Sequence, residues 1–281
     1  MDYPVPELRA SEVAERFDAV LLDAYGVLVD GRGALPGAAA FLQALDAARL
    51  PWMIVSNDAS RSVEAATARY GSLGLRARPE QILLSAALIA PHYTKVGLVG
   101  ARTIVLGPPD STQWVRDAGG QPVDWDHPEP EAVVVCDDAG YPFIPAVEAV
   151  ISTVARREQQ GHSVALVLPN PDKVYPSGDG EIGLTAGSAA LVIEAALAAV
   201  LGADAPTFVG LGKPHAAIFD EACARLGHRG TQVVMLGDQV STDIIGAHQA
   251  GLSAGLLLTG VTQNVNAEGK GRPDFVLRSL R

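Results

Sequence analysis

Ala19-Val20-Leu21-Leu22-Asp23-Ala24-Tyr25-Gly26-Val27-Leu28 is the stretch that decides how the rest of the chain is read. Four apolar residues run into an aspartate, and a glycine follows three positions later. That is the pattern of a buried strand ending abruptly at a polar tip. In open α/β sheets ligands gather at the carboxyl ends of strands, so a carboxylate there is well placed for chemistry. Asp and Gly also end strands in simple turns, and the stretch alone does not separate the two readings. Recurrence does. Trp52-Met53-Ile54-Val55 runs into Ser56-Asn57-Asp58, and Val233-Val234-Met235-Leu236 runs into Gly237-Asp238, with Asp243 five residues on. Gly210-Leu211-Gly212-Lys213-Pro214 opens a helical segment between them. An Asp, a Ser, a Lys and an Asp pair each stand at a strand end or a helix start.

Outward from these points the pattern predicts an α/β fold. Residues 11–17 read as a short helix before the first strand, and Asp30-Gly31-Arg32-Gly33 as a turn. Residues 36–48 read as an Ala-rich helix with Pro36 in its first turn, and residues 60–70 as a helix capped by Ser60. Strand, helix, strand, helix with short connections implies a parallel sheet with right-handed crossovers. The rhythm shifts near Arg76-Ala77-Arg78-Pro79. From there a second α/β unit is predicted, with helices over 81–93, 111–118, 145–160 and 186–201. Its strands fall at 95–100, 103–106, 133–136 and 164–168, with loop at 122–130. Residues 1–78 and 206–281 thus form one domain and 79–205 an inserted one, with the active cleft between them.

The chain has 281 residues, 48% hydrophobic and 19% charged, which is globular and long enough for a sizeable core. Its net charge of −11 speaks against nucleic acid or an anionic membrane as a partner. Cys136 and Cys223 lie in apolar or helical contexts and read as buried, reduced thiols of a cytoplasmic protein. The first eighteen residues are too polar and acidic for a signal peptide, and no apolar run reads as long enough to span a bilayer.

The set and order of Asp23, Ser56, Lys213, Asp238 and Asp243 resemble the four motifs of the haloacid dehalogenase superfamily. The likeness is to its phosphatase branch with a large inserted cap, the p-nitrophenylphosphatase and sugar-phosphatase group. It covers most of the chain and is most specific at Lys213-Pro214 and Gly237-Asp238-Gln239-Val240-Ser241-Thr242-Asp243. The resemblance implies a Rossmann-like parallel-sheet core with an α/β cap. It also implies a Mg²⁺-dependent hydrolase of small sugar or nucleotide phosphomonoesters, working through an aspartyl-phosphate. Asp23 would be the nucleophile, since an ordinary Asp, of pKa about 3.9, is ionised at neutral pH without activation. Ser56, assisted by Asn57, would hydrogen-bond a phosphate oxygen. Lys213 would neutralise the transferring group and hold Asp23. Asp23, Asp238, Asp243 and the main-chain carbonyl of Tyr25 would hold the Mg²⁺. In the cap, Asn170-Pro171-Asp172-Lys173-Val174-Tyr175-Pro176 resembles the segment the family lays over its active site, which points to Asn170 and Asp172 as substrate contacts. An Asx-turn held by its own backbone is the equal alternative. A cap-to-cap homodimer fits the family.

One departure matters. The family's phosphatases carry Asp two residues after the nucleophile, where it protonates the leaving oxygen, and here that residue is Tyr25. The resemblance therefore implies slow turnover of alkyl phosphates. It leaves two alternatives open: a metal-independent dehalogenase, whose first motif Asp23-Ala24-Tyr25-Gly26 also resembles, or a phosphate-binding protein without catalysis.

Overall fold

The structure is a computed structural model describing residues 5–178, 181–260, 262 and 269–281. Its centre is a six-stranded parallel sheet in the order Phe275–Leu277, Ser253–Leu257, Val233–Gly237, Ala19–Leu22, Trp52–Ser56 and Ile82–Leu84. Ala19–Leu22, Trp52–Ser56 and Val233–Gly237 are buried at every position, as strands covered on both faces require. The chain leaves the Ala19–Leu22 strand toward Trp52–Ser56 and later returns on its other flank at Val233–Gly237. The order of strands therefore reverses beside Ala19–Leu22, and the cleft at such a switch point is where ligands bind. The three strands that carry Asp23, Ser56 and Asp238 are immediate neighbours, which brings sequence positions over two hundred residues apart to one sheet edge.

The inserted unit has its own parallel sheet, ordered Val209–Gly210, Ala165–Leu168, Ala132–Val135, Arg102–Leu106 and Gln121–Val123. Phe143–Gln159 and Ala186–Leu201 pack on it through Val147, Val150, Val154, Ala189, Ile193 and Leu197. A two-stranded antiparallel hairpin, Val174–Gly178 with Glu181–Leu184, projects from it.

Several boundaries differ from the sequence reading. The expected helix over 81–93 is instead the strand Ile82–Leu84 and, after a short turn, the helix Ile89–Val96. Ile82, Leu83 and Leu84 are wholly buried against Trp52–Ser56, so the apolar run belongs to the core sheet and not to the cap. At the far end Val209–Gly210 joins the cap sheet, not the core. The two sheets thus exchange the chain a few residues later at each end than the 79–205 division. The expected strand over 95–100 is the end of the Ile89–Val96 helix, closed by Gly97 with φ +76°. Gln121–Val123 pairs where loop was expected, and Ser62, not Ser60, caps the helix Val63–Ser72 by accepting the Ala65 N–H at 3.2 Å. Ala186–Asp204 is long and apolar enough, by length and composition, to cross a membrane, against the reading that no run reaches that length. Its alanine content makes it apolar all round, and its Ile193–Leu197 side lies in the cap core.

Core and cap share one apolar cluster, running from Leu21 and Met53 to Val134, Cys136 and Val167. Side chains of the cap helix Pro109–Asp117 and its neighbourhood add polar ties. Ser111 Oγ donates to the Ala59 carbonyl at 2.7 Å, Trp114 Nε1 to the Arg61 carbonyl at 2.9 Å, and Asp110 accepts the Ser62 N–H at 2.8 Å.

Candidate active site

Asp23 follows the central strand and is fixed there by its own backbone. Its N–H donates to the Leu236 carbonyl at 2.9 Å, and its carboxylate accepts the Ala24 N–H at 2.7 Å. Lys213, only 2% exposed, places Nζ 2.6 Å from Asp23 and 2.7 Å from Asp243. The ammonium is thus clamped between two buried carboxylates. Burial alone would lower the Lys213 pKa, but Asp23, Asp243 and Asp172 override it and raise it, so the lysine stays charged. Burial raises Asp23, with Lys213 opposing. Asp243 is pushed up to about 6, first by burial and also by the charge of Asp23, against the pull of Lys213.

Asp243 owes its place to a π-helical turn at Val240–Ile244, a wide turn of the kind that recurs at functional sites. Its second oxygen accepts the Gln239 N–H at 3.1 Å. Gly237 lies directly beneath, and a Cβ there would overlap the Asp243 carboxyl. Asp238 is equally enclosed. A Cβ on either Gly26 or Gly260 would overlap its carboxyl group, and Gly26 has φ +81°, a conformation glycine adopts freely. Asp23, Asp238 and Asp243, all buried, each bring one oxygen within 4.8 Å of the others. Three carboxylates gathered this closely repel one another, and a single lysine offsets only part of that charge. The donor set, all oxygen, suits a hard divalent cation that also takes water and phosphate oxygens.

The other predicted residues fall around this centre. Ser56 ends its strand in the same cavity, its Oγ accepting the Asp58 N–H at 3.2 Å. The Asn57 amide makes three bonds: Oδ1 accepts the Lys213 N–H at 2.7 Å, and Nδ2 donates to the Lys213 carbonyl and to Asp172 Oδ1, both at 2.9 Å. It holds the lysine loop to the serine loop and both to the cap. Asn170 Oδ1 accepts the Asp172 N–H at 3.0 Å, an Asx-turn, while both residues also line the cavity. The Asp172 carbonyl is held by the Thr185 hydroxyl and the Gly187 N–H. Burial raises the Asp172 carboxyl. Tyr25 lines the cavity, its phenol oxygen accepting from Arg69 at 2.8 Å and its ring lying 5.2 Å from the Arg69 guanidinium carbon.

The cavity, about 340 Å³, is closed by residues that sequence reasoning did not single out. Asp58 accepts from Ser60 and, at 2.6 Å, from Arg61. Asp137 and Asp138 come from the end of the cap strand Ala132–Val135. Asp137 is pushed up to about 6, first by burial and then by Asp138 beside it. Their place at a strand's carboxyl end was the available signal. Arg69 and Tyr70 carry no such mark, because a helix gives no sign in sequence of which cavity it borders.

Comparison with known proteins gives a consistent set. A haloacid dehalogenase-like hydrolase family matches residues 20–121, and a HAD-hydrolase-like family matches residues 210–281. The chain is 32% identical over 272 residues to the D-glycerol 3-phosphate phosphatase of Mycobacterium tuberculosis, covering 96% of this chain and 71% of that one. Its fold matches the crystal structure of a possible sugar phosphatase from Cytophaga hutchinsonii with a TM-score of 0.84 at 25% identity, covering 99% of both chains. It also matches a glycerol phosphate phosphatase from Mycobacterium tuberculosis, crystallised with calcium and with magnesium, with a TM-score of 0.77 at 29% identity. That match covers 95% of this chain and about three quarters of the other.

Proposed function

The chain belongs to the haloacid dehalogenase-like hydrolases and is a phosphatase of their capped branch. From that premise we propose a Mg²⁺-dependent phosphomonoesterase that works through an aspartyl-phosphate on Asp23. The observation that carries the reading is Lys213 Nζ held between Asp23 and Asp243 at 2.6 and 2.7 Å, beside a third buried carboxylate, Asp238. A nucleophile, a fixed cation and an acidic pocket for a second cation meet at one strand end.

Asp23, Asp238 and Asp243, with the Tyr25 main-chain carbonyl, would hold the Mg²⁺. Bound there, the cation supplies positive charge that offsets the carboxylates and stabilises charge on phosphate oxygens. The remaining steps belong to the protein's own groups. Ser56 Oγ and the backbone that follows it orient a phosphate oxygen. The Asp23 carboxylate attacks phosphorus as the ester oxygen leaves, and Lys213 faces the charge that builds between them. Water then attacks the aspartyl-phosphate, releasing phosphate and restoring Asp23. Asn57 keeps the Lys213 backbone in register with Ser56 throughout.

Tyr25 sets the rate. A phenol O–H is a proton donor and a poor base. Esters with good leaving groups need that proton least, so p-nitrophenyl phosphate should turn over better than alkyl phosphates. The relatives supporting small phosphate esters as substrates are named D-glycerol 3-phosphate phosphatase, dihydroxyacetone phosphatase and possible sugar phosphatase. The test is hydrolysis of p-nitrophenyl phosphate with Mg²⁺ and with EDTA, alongside acid-quench trapping of phosphate on Asp23. Activity that survives EDTA, or label on another residue, would overturn the proposal.

A further inference from the structure

Beyond the catalytic cluster the cavity has two walls of opposite character. The cap wall is acidic, through Asp137 and Asp138. The core wall, from the helix Val63–Ser72 and the turn after Asp23, offers donors. Arg69 reaches the cavity from that helix and rests on Tyr25, bonded to the phenol oxygen at 2.8 Å with its guanidinium over the ring. Among the described residues it forms no ion pair. Arg61, its neighbour on the same wall, is by contrast paired with Asp58 at 2.6 Å. A guanidinium carries five N–H donors in a fixed fork, and a single bond to Tyr25 leaves most of them free for a ligand. Tyr70 follows Arg69 in sequence, is 4% exposed and lines the cavity, and its hydroxyl has no hydrogen-bond partner among the described residues. Burial raises its pKa, so the group remains a donor. The hydroxyl itself is not fully enclosed, and at the cavity wall it can donate to a bound group.

A helix-terminal arginine often serves only the helix dipole, and Arg69 does stand in the last turn. Here, however, its bond goes to a cavity side chain and not to a helix carbonyl. Tyr25 is two residues beyond the nucleophile, the position that the family resemblance assigns to the leaving-group proton, so a guanidinium anchored on its oxygen would stand farther along the leaving group. We infer that Arg69, with Tyr70, recognises a second anionic group on the substrate, making the preferred esters small phosphomonoesters whose leaving part carries a carboxylate or a second phosphate. Hydroxyl groups on the same substrate would face Asp137 and Asp138, which accept. This deepens the phosphatase reading and rests on it.

Matched pairs of esters test it: glycerol 3-phosphate against 3-phosphoglycerate for a carboxylate, and fructose 6-phosphate against fructose 1,6-bisphosphate for a phosphate. The wild type should favour the doubly anionic member of one pair by about 10-fold or more in kcat/KM. Arg69→Met should reduce that ratio by about 10- to 100-fold, as loss of a charged hydrogen bond does, and mainly through KM. Arg69→Lys should restore part of it, and Tyr70→Phe should reduce the ratio less. The same ranking should appear in calorimetric binding to the Asp23→Asn protein with Mg²⁺, which does not depend on turnover. No preference in either pair, or equal losses on both members in Arg69→Met, overturns the inference while leaving the phosphatase intact. Failure to hydrolyse even p-nitrophenyl phosphate, with the binding preference present, instead overturns the phosphatase reading.

Discussion

Replacing Lys213 by Met keeps the side-chain length and removes the charge. The ammonium it removes sits in a buried gap between two carboxylates at 2.6 and 2.7 Å. Removing one partner of a buried ion pair typically costs about 3–5 kcal/mol. Two carboxylates are orphaned here, so the upper figure, about 5 kcal/mol, applies to the metal-free protein at pH 8. At about 2–4 °C per kcal/mol for a chain of this order, Tm should fall by about 10–20 °C. The loss must depend on pH, and its sign is fixed. Asp243 already stands at about 6, with Lys213 the main influence holding it down. Without the lysine its pKa rises further. A carboxyl raised on folding is favourable while protonated and loses that contribution as pH climbs through the folded pKa. The Lys213→Met deficit should therefore be small at pH 5 and full at pH 8, and saturating Mg²⁺ should recover part of it. Turnover of p-nitrophenyl phosphate should fall by at least about 10²–10³-fold, as when a fixed electrostatic partner of the transition state is deleted. Thermal melts at pH 5 and pH 8, with and without Mg²⁺, are the assay. A Tm change under about 3 °C at pH 8, where about 1 kcal/mol is the detectable threshold, or equal deficits at both pH values, would refute the argument.

Asp23→Asn should leave circular dichroism unchanged and lower kcat by more than about 10²-fold; activity within tenfold of wild type would point to another nucleophile. Gly26→Ala introduces a Cβ into the Asp238 carboxyl at φ +81°, and should cost about 1–3 kcal/mol with weaker Mg²⁺ binding by calorimetry. Arg49, just past the helix Ala38–Ala47, has φ +55°; Arg49→Gly should stabilise by about 0.5–1 kcal/mol, read as a small rise in Tm with unchanged activity. Tyr25→Asp should speed alkyl phosphate hydrolysis by about 10-fold or more, within the 10²–10⁴ range of acid–base assistance, with little gain on p-nitrophenyl phosphate; equal gains on both would remove Tyr25 from the leaving-group step.

The polar residues at the strand ends were legible because their placement rests on local pattern. An apolar run that stops at Asp23, Ser56 or Asp238 marks both the strand and the polar tip, and the family order did the rest. Partners across the fold were not legible. Nothing near Asn57 in sequence signals that its amide would bind the backbone of Lys213, 156 residues away. Ile82-Leu83-Leu84 read as helix because a short apolar run has no period of its own, and only its place beside Trp52–Ser56 makes it a strand. The hairpin Val174–Gly178 with Glu181–Leu184 was missed because Pro176 and three glycines argue against strand by propensity.

Away from the Asn57–Asp172 bond at the active site, the polar joint between core and cap has a lopsided chemistry. On the core side, the partners at Ala59, Arg61 and Ser62 are all main-chain atoms, while the cap contributes the side chains of Asp110, Ser111 and Trp114. Main-chain atoms are the same whatever residues occupy those positions, proline at 62 excepted because it lacks the N–H. The sequence demands of these three bonds therefore fall on the cap alone, and the core asks only for a loop of the same shape. In recombination terms, the cap is the portable half: transplanted with Asp110, Ser111 and Trp114, it carries its own fastening to a related core.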